Sequence, residues 1–313
     1  MTRALAGRKV LVTGAGGFIG PHVVAAIVET GADVRAHIGP PGKPPARLPA
    51  AVEQVNADIA DAAAMRRIAA SVDVVVHLAG AASVRRSFEE PLETFNVHTQ
   101  GTAVLIEACR QAGARRFIYM SSAEVYGRPA RDGVDENGPV APRSPYGAAK
   151  AAAELIVSAY AQSFGQVGIA LRPFSVYGPG ETNHSLVGSI VNQLRSCARV
   201  TVADIRPVRD YCFVADVARA VAQSCVADVT GFTAINIASG QGTSVLELIQ
   251  AAADALGVTA DIEEDVARRR PDAQEIFRLI ASVERARTLL GWSAATTLRE
   301  GLQQTCAQTA LTR

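Results

Sequence analysis

Gly14-Ala15-Gly16-Gly17-Phe18-Ile19-Gly20 lies between an apolar run, Lys9-Val10-Leu11-Val12-Thr13, and a segment with one apolar face, Val23 to Glu29. The run reads as a short buried parallel strand and the segment as a helix. A strand, a glycine turn and a helix together make a phosphate cradle. Glycines let the backbone approach a pyrophosphate, and the helix start offers unpaired N–H groups and the positive end of its dipole. Pro21 suits the first turn of that helix, where its missing N–H would have no intrahelical partner. Alone, such a loop is equally an ordinary tight strand-to-helix turn. It gains meaning from Tyr146-Gly147-Ala148-Ala149-Lys150 further along the chain.

The 313 residues allow a nucleotide-binding domain with a smaller one appended, and the 49% apolar content argues against disorder. A formal charge of +1 implies no global attraction to nucleic acid or to a membrane surface, so neither partner is expected. No segment has the uninterrupted apolar length of a bilayer span, and the first apolar run is already strand one, so a cytoplasmic location is expected. Cys109, Cys197, Cys212, Cys225 and Cys306 are scattered and form no C-x-x-C pair. They read as reduced thiols in apolar surroundings, with no metal site expected.

Strand-like runs at 10–13, 33–37, 52–56, 74–78, 117–121 and 169–172 alternate with helical patterns near 22–30, 61–70, 92–112 and 145–164. That alternation predicts an α/β fold, a Rossmann-type doubly wound parallel sheet with ligands at the carboxyl ends of its strands. The pattern breaks after Tyr177-Gly178-Pro179-Gly180. The expected division is a dinucleotide-binding domain of residues 1–177 with 209–240, and a smaller C-terminal substrate-binding domain of 178–208 with 241–313. Gly39 to Pro45 and Gly127 to Ser144 read as loops.

Tyr146 and Lys150 are four apart on a predicted helix and share one face. A phenol with a pKa of about 10 is a poor base near neutrality. A neighbouring ammonium is expected to lower it, so that Tyr146 can exchange a proton with a substrate hydroxyl. Ser121 and Ser122, at the end of the strand Phe117-Ile118-Tyr119-Met120, are candidates for a third donor to the same oxygen.

Gly14, Gly17 and Gly20 run G-x-x-G-x-x-G, a spacing that resembles the short-chain dehydrogenase/reductase superfamily, in which a Tyr-x-x-x-Lys pair completes the site. Met120 to Gly127 resembles the S-S-x-x-V-Y-G segment of its extended subgroup, the nucleotide-sugar epimerases, dehydratases and reductases. His77-Leu78-Ala79-Gly80, Pro142 to Gly147, Leu171 to Gly180, Val208 to Tyr211, Arg270-Pro271-Asp272 and Leu289 to Trp292 are similar to further motifs of that group. The resemblance spans nearly the whole chain. It implies Ser122, Tyr146 and Lys150 as catalytic residues, with Glu124 beside them. It implies a cofactor site of Gly14, Gly17, Phe18, Ile19, Gly20, Asp58, Ile59, Leu78, Ala79, Gly80, Ser121, Tyr146, Lys150 and Pro173. It implies sugar-nucleotide contacts from Ser83, Ser122, Tyr146, Ser175, Arg209 and Arg270, the two arginines on the diphosphate.

Four positions depart from the family's pattern. Ala36-His37-Ile38-Gly39 stands where NAD-binding members carry an acid for the adenosine ribose, roughly 20 residues past the loop. No arginine follows either, although Lys43 or Arg47 in the next loop could meet a 2′-phosphate. NAD or NADP is expected, NAD first, with weak discrimination. Ala123-Glu124 replaces the Asp-Glu pair of the 4,6-dehydratases, which disfavours ordinary dehydration. His98 and Ser175 stand where many relatives have asparagine; His98 is read as a satisfied structural histidine.

The expected function is an NAD(P)-dependent nucleotide-sugar enzyme working by hydride transfer at sugar C4, first a nucleoside-diphosphate-hexose 4-epimerase. The alternative is an NADPH-dependent 4-keto-6-deoxyhexose reductase, and a non-catalytic dinucleotide-binding protein is the alternative of another class. The alanine-rich helix 145–164, with little polar surface, leaves a face in need of cover, and relatives pair this helix and its neighbour as a four-helix bundle. A homodimer is expected.

Overall fold

A computed structural model describes residues 4–181, 185–269 and 275–309. In chain order its elements are β1 (Lys9–Thr13), α1 (Gly20–Val28), β2 (Asp33–Gly39), β3 (Glu53–Asn56), α2 (Ala62–Ile68), β4 (Val74–His77), α3 (Val84–Glu89), α4 (Pro91–Phe95), α5 (Gly101–Gln111), β5 (Arg116–Met120), α6 (Pro145–Phe164), β6 (Val167–Pro173) and β7 (Ser175–Tyr177). They continue with α7 (Leu186–Cys197), β8 (Arg199–Val202), β9 (Val208–Phe213), α8 (Val214–Ser224), β10 (Phe232–Ile237), β11 (Gly242–Ser244), α9 (Val245–Leu256), β12 (Asp261–Glu264), β13 (Arg278–Leu279), α10 (Glu284–Leu290) and α11 (Leu298–Thr309).

Seven parallel strands form the large sheet in the order β10-β6-β5-β4-β1-β2-β3. β1 lies between β2 and β4, so the chain reverses its direction of winding beside β1. That point opens a crevice at the strands' carboxyl ends, where doubly wound sheets bind ligands. Strands covered on both faces need near-continuous apolar residues, and Val10, Leu11, Val12, Val75, Val76, Phe117 and Ile118 are buried accordingly. One face packs on α1 and α8 through Val23, Val24, Ile27, Val217 and Val221, with Trp292 sealing the edge through an indole N–H to the Asp216 carbonyl (2.9 Å). The other face packs on α2, α5 and α6 through Met65, Leu105, Ile106, Ala153 and Val157.

A smaller set of strands sits over one end. β9 pairs with β7, β11 and β13, while β8 pairs with β12, and α7, α9 and α11 close a separate core around Ile190, Leu194, Leu248 and Leu302. β9 is the central strand of this smaller sheet, and the chain rejoins the large one only with α8 and β10. The expected single helix over 92–112 is α4, a π-turn at 96–100 and α5. Glycine at 101 lets α5 approach Ile59 closely, since a Cβ there would stand 2.8 Å from Ile59 Cγ2 and push that side chain aside. No helix among the described residues is long and apolar enough to cross a membrane.

α6 is held to the sheet by charge as well as by packing. Glu154 accepts two bonds from Arg172 on β6 (Nε 2.9 Å, Nη2 2.6 Å) and one from the Ser121 hydroxyl at the end of β5. Arg172 Nη1 donates to Tyr126 Oη (2.9 Å), and that phenol donates to Asn236 Oδ1 on β10 (2.7 Å). Both charged side chains are about 5% exposed. Breaking a buried pair from one side strands the other charge. Glu154→Ala is therefore expected to destabilise the fold by about 3–5 kcal/mol. Asp132→Ala, which frees the surface residue Arg278, should cost under about 1 kcal/mol. Urea denaturation of the two variants checks this, and equal small losses would contradict it.

Candidate active site

The glycine loop follows β1 and enters α1 as expected. Gly14 has φ +72°, and a Cβ there would lie 2.7 Å from the Ala79 nitrogen, while a Cβ on Gly20 would overlap the Ala15 carbonyl. Gly17 N–H closes the turn onto Gly14 O (3.0 Å). α1 carries Pro21 in its first turn and no side-chain cap, so its leading N–H groups are left to the crevice. Phe18 stands edge-on to His22, whose Nε2 bonds the Pro179 carbonyl (3.0 Å). The loop is thereby tied to Tyr177-Gly178-Pro179-Gly180. A cradle that tolerates no Cβ at Gly14 or Gly20, ahead of an uncapped helix, fits a dinucleotide pyrophosphate.

β4 brings its end beside this loop. Thr13 Oγ1 and His77 Nδ1 are 2.7 Å apart, and His77 Nε2 bonds Thr102 Oγ1 (3.0 Å). Thr102 donates its own proton to the His98 carbonyl, so His77 must donate from Nε2 and accept at Nδ1. Burial holds His77 well below the usual histidine pKa, and it is a neutral brace. Leu78 is half-buried, Ala79 is buried and Gly80 is exposed at φ +146°. His98 packs over Gly80, where any Cβ would strike its ring, and bonds the Ala81 carbonyl through Nε2 (3.0 Å). Its ring meets that of Tyr146 edge-on at 5.4 Å between centres. Burial, with the Lys150 charge adding to it, lowers His98 to about 3, so the imidazole is neutral.

Ser144 caps α6 by accepting from Gly147 N (3.0 Å), which fixes the start of the helix at Pro145 and places Tyr146 and Lys150 on its inner face. The Ser122 hydroxyl lies close enough to the Tyr146 phenol to act on its protonation, and it accepts from Glu124 N (3.2 Å) at the start of a short 3-10 turn. Lys150 Nζ donates to the Met120 carbonyl (2.7 Å) and lies 5.7 Å from the Tyr146 ring centre. Ser122, Tyr146 and Lys150 thus lie together where the end of β5 meets the inner face of α6. Ser121 does not share that role, because its hydroxyl is turned to Glu154.

Protonation differs from expectation. In the protein alone burial pushes the Tyr146 phenol up to about 12, opposed by the nearby Ser122 hydroxyl and helped by the Glu124 carboxylate. Burial lowers Lys150 to about 7, opposed by Glu154. The expected lowering of the phenol is absent because desolvation disfavours the charged form of both groups. A bound cationic nicotinamide is the charge that would favour the phenolate.

The remaining positions are mixed. Asp58 is exposed and accepts from Ala60 N (2.9 Å), while Ile59 turns into the core. Pro173 is buried at the end of β6, and Ser175 is half-buried at the start of β7. The Ser83 hydroxyl caps α3. Arg209 is held by Glu275 (3.0 Å) and the Val208 carbonyl (3.1 Å), so a diphosphate would have to compete with that carboxylate. Arg270 lies outside the described residues. Sequence reasoning missed Glu154 and Asp210. Asp210 is buried and accepts from the N–H groups of Ser239, Gly240 and Ala281 and from the Ser239 hydroxyl. A carboxylate one turn beyond Lys150 on an alanine-rich helix was the signal for Glu154, since such a group needs a buried partner.

The chain has three lysines. An NMR titration of their ε-methylene signals in dinucleotide-free protein is expected to show one midpoint near 7 that disappears in Lys150→Met. Its protonated fraction should fall as pH rises through that value. No lysine titrating below about 9 would contradict the burial of this ammonium.

Residues 10–238 match the model of the NAD dependent epimerase/dehydratase family. The UDP-glucose 4-epimerase of Mycolicibacterium smegmatis is 33% identical over 308 residues, covering 95% of this chain and 97% of that protein. Among solved structures, MoeE5 in complex with UDP-glucuronic acid and NAD superposes with a TM-score of 0.87 at 31% identity, over 97% of this chain and 100% of that one. RMD from Pseudomonas aeruginosa complexed with NADPH gives 0.84 at 26% identity, over 98% of each chain. The chain belongs to the NAD dependent epimerase/dehydratase family, NAD(P)-using enzymes of the extended short-chain dehydrogenase/reductase kind.

Proposed function

We propose that this chain transfers hydride at C4 of a nucleoside-diphosphate hexose and that its net reaction is 4-epimerisation. The observation that carries the chemistry is the convergence of Ser122, Tyr146 and Lys150 beside the glycine cradle. The epimerase outcome is supported by the likeness to the Mycolicibacterium smegmatis enzyme.

In this reading residues 1–177 with 209–240 hold the dinucleotide, and 178–208 with 241–313 hold the sugar nucleotide. Gly14, Gly17, Phe18, Ile19 and Gly20 take the pyrophosphate, with Asp58 and Ile59 toward adenine. Leu78, Ala79, Gly80, Ser121 and Pro173 line the nicotinamide end. When bound, the nicotinamide supplies the hydride acceptor and donor. Tyr146 takes the C4 hydroxyl proton and returns it. Ser122 holds the same oxygen through hydrogen bonding, and Lys150 supplies positive charge beneath the phenol and holds the nicotinamide ribose. Glu124 faces the sugar as an additional carboxylate. Ser83 and Ser175 meet the sugar, while Arg209 and Arg270 grip the diphosphate, whose planar oxygens suit guanidinium forks.

A 4-keto-sugar reductase is the second reading. The lack of an acid at the end of β2 favours it, together with the NADPH-bound neighbour. Turnover separates the two: an epimerase interconverts its sugars without net consumption of dinucleotide, and a reductase consumes reduced dinucleotide stoichiometrically. Tyr146→Phe is expected to keep dinucleotide affinity within about twofold and to lose activity by about 10²–10⁴-fold, since only the proton-transfer oxygen is removed. Wild-type-like turnover in that variant would refute the mechanism.

Two copies are proposed to associate through α3, α4 and α6. Phe88, Leu92, Leu155 and Phe164 there are 59%, 82%, 72% and 53% exposed, an apolar surface that a second copy would cover. Light scattering is expected to give twice the 32.7 kDa chain mass, falling to one chain in Leu155→Arg. A monomeric wild-type mass at micromolar concentration would overturn the dimer.

A further inference from the structure

The dinucleotide cradle borders the tip of β2. A Cβ on Gly16 of the loop would stand 3.0 Å from the Ile38 carbonyl, so loop and strand tip are in contact. At this tip a carboxylate would hold the adenosine 2′-hydroxyl of NAD. The residues present do not fit that role. Ala36 and Ile38 are buried, and His37 is buried with Nε2 on the Ala57 carbonyl (2.9 Å).

A cation occupies the surroundings instead. The register of β2 against β3 shifts between His37 and Gly39, and Gly39 has φ +134°. A Cβ on Gly39 would meet Lys43 Cδ at 2.8 Å and Lys43 Nζ at 3.5 Å, so the lysine folds back over the strand tip in the space a side chain at 39 would fill. The loop that carries it is fastened. Asn56 Nδ2 donates to the carbonyls of Pro40 (3.1 Å) and Lys43 (3.2 Å). Gln54 makes two bonds to the backbone of Ala46 (2.9 and 3.1 Å). The Lys43 side chain is exposed, and its charge is felt at His37. Asp58, the carboxylate also felt there, accepts from Ala60 N.

We propose that the Lys43 ammonium, folded over Gly39 at the tip of β2, is the seat for the 2′-phosphate of NADP(H). This rests on the dinucleotide-binding reading of the glycine loop and stands with either outcome at C4. An NAD site needs an acceptor for the ribose hydroxyl, and an acid placed there would repel a phosphate dianion. This tip offers no acid and one donor with full positive charge, on a backbone already held in place. Arg47, on the same loop and exposed, adds a second cation nearby. Under this proposal NADP(H) would be preferred, where the sequence expectation puts NAD first.

Isothermal titration of the full chain with adenosine 2′,5′-bisphosphate and with 5′-AMP tests the seat without catalysis. The bisphosphate is expected to bind at least about tenfold tighter. Lys43→Ala should remove most of that factor and leave 5′-AMP affinity unchanged, whereas Lys43→Arg should keep it. Lys43 is exposed, so these variants are expected to fold. Equal affinity of the wild type for both ligands, or an unchanged ratio in Lys43→Ala, would overturn the seat. Failure of NAD, NADPH and both probes to bind would overturn the dinucleotide reading and the seat with it.

Discussion

A single buried carboxylate organises the site. Glu154 takes two hydrogen bonds from Arg172 on β6 and one from Ser121 at the end of β5, and it lies one helical turn beyond Lys150. It therefore fixes α6 against two strands at once, at the depth where Tyr146 and Lys150 must meet Ser122. Its negative charge also opposes the desolvation that lowers the Lys150 ammonium. A neutral, well-packed residue pair would hold the helix with less desolvation penalty. Only a carboxylate offers Lys150 an electrostatic counterweight, which links the fold's most demanding interaction to the chemistry.

Much of this was legible in the sequence because the relevant signals are local. β1, the glycine loop and α1 follow from an apolar run, glycine spacing and Pro21, all within one supersecondary unit. Tyr146 and Lys150 share a helix, so their common face follows from periodicity. What escaped depends on residues distant in the chain. Glu154 finds Arg172 across a strand, Asp210 finds Ser239 and Ala281, and His98 finds Gly80, none of which a spacing argument can pair. The π-turn at 96–100 hid for a similar reason: its periodicity merges with the helices on either side. Tyr146 illustrates the limit of reasoning from residue type. Its partners were foreseen, but the size of the burial effect needed the packed surroundings.

The tip of β2 shows how an absence in sequence becomes a feature in three dimensions. Ala36-His37-Ile38-Gly39 looks only deficient when compared with an acid-bearing strand. The shifted register, the left-handed Gly39 and the Asn56 and Gln54 anchors turn the following proline-rich loop back, and the deficiency becomes room for Lys43. In the proposed reading the cofactor's phosphate and the sugar's C4 chemistry belong to separate parts of the crevice: the strand tip would set which dinucleotide is retained, and the contacts of the smaller unit would set which sugar is presented and whether it turns over between hydride steps.

Isotope tracing at the reacting carbon tests the proposed chemistry most directly. A nucleoside-diphosphate [4-²H]hexose that thermal stabilisation identifies as a ligand would be incubated with the enzyme and dinucleotide, and the product and cofactor examined by mass spectrometry. Hydride transfer requires the deuterium to be retained at C4 of the product or found on the nicotinamide. Its replacement by solvent hydrogen at C4 would contradict hydride transfer and remove the role assigned to Tyr146.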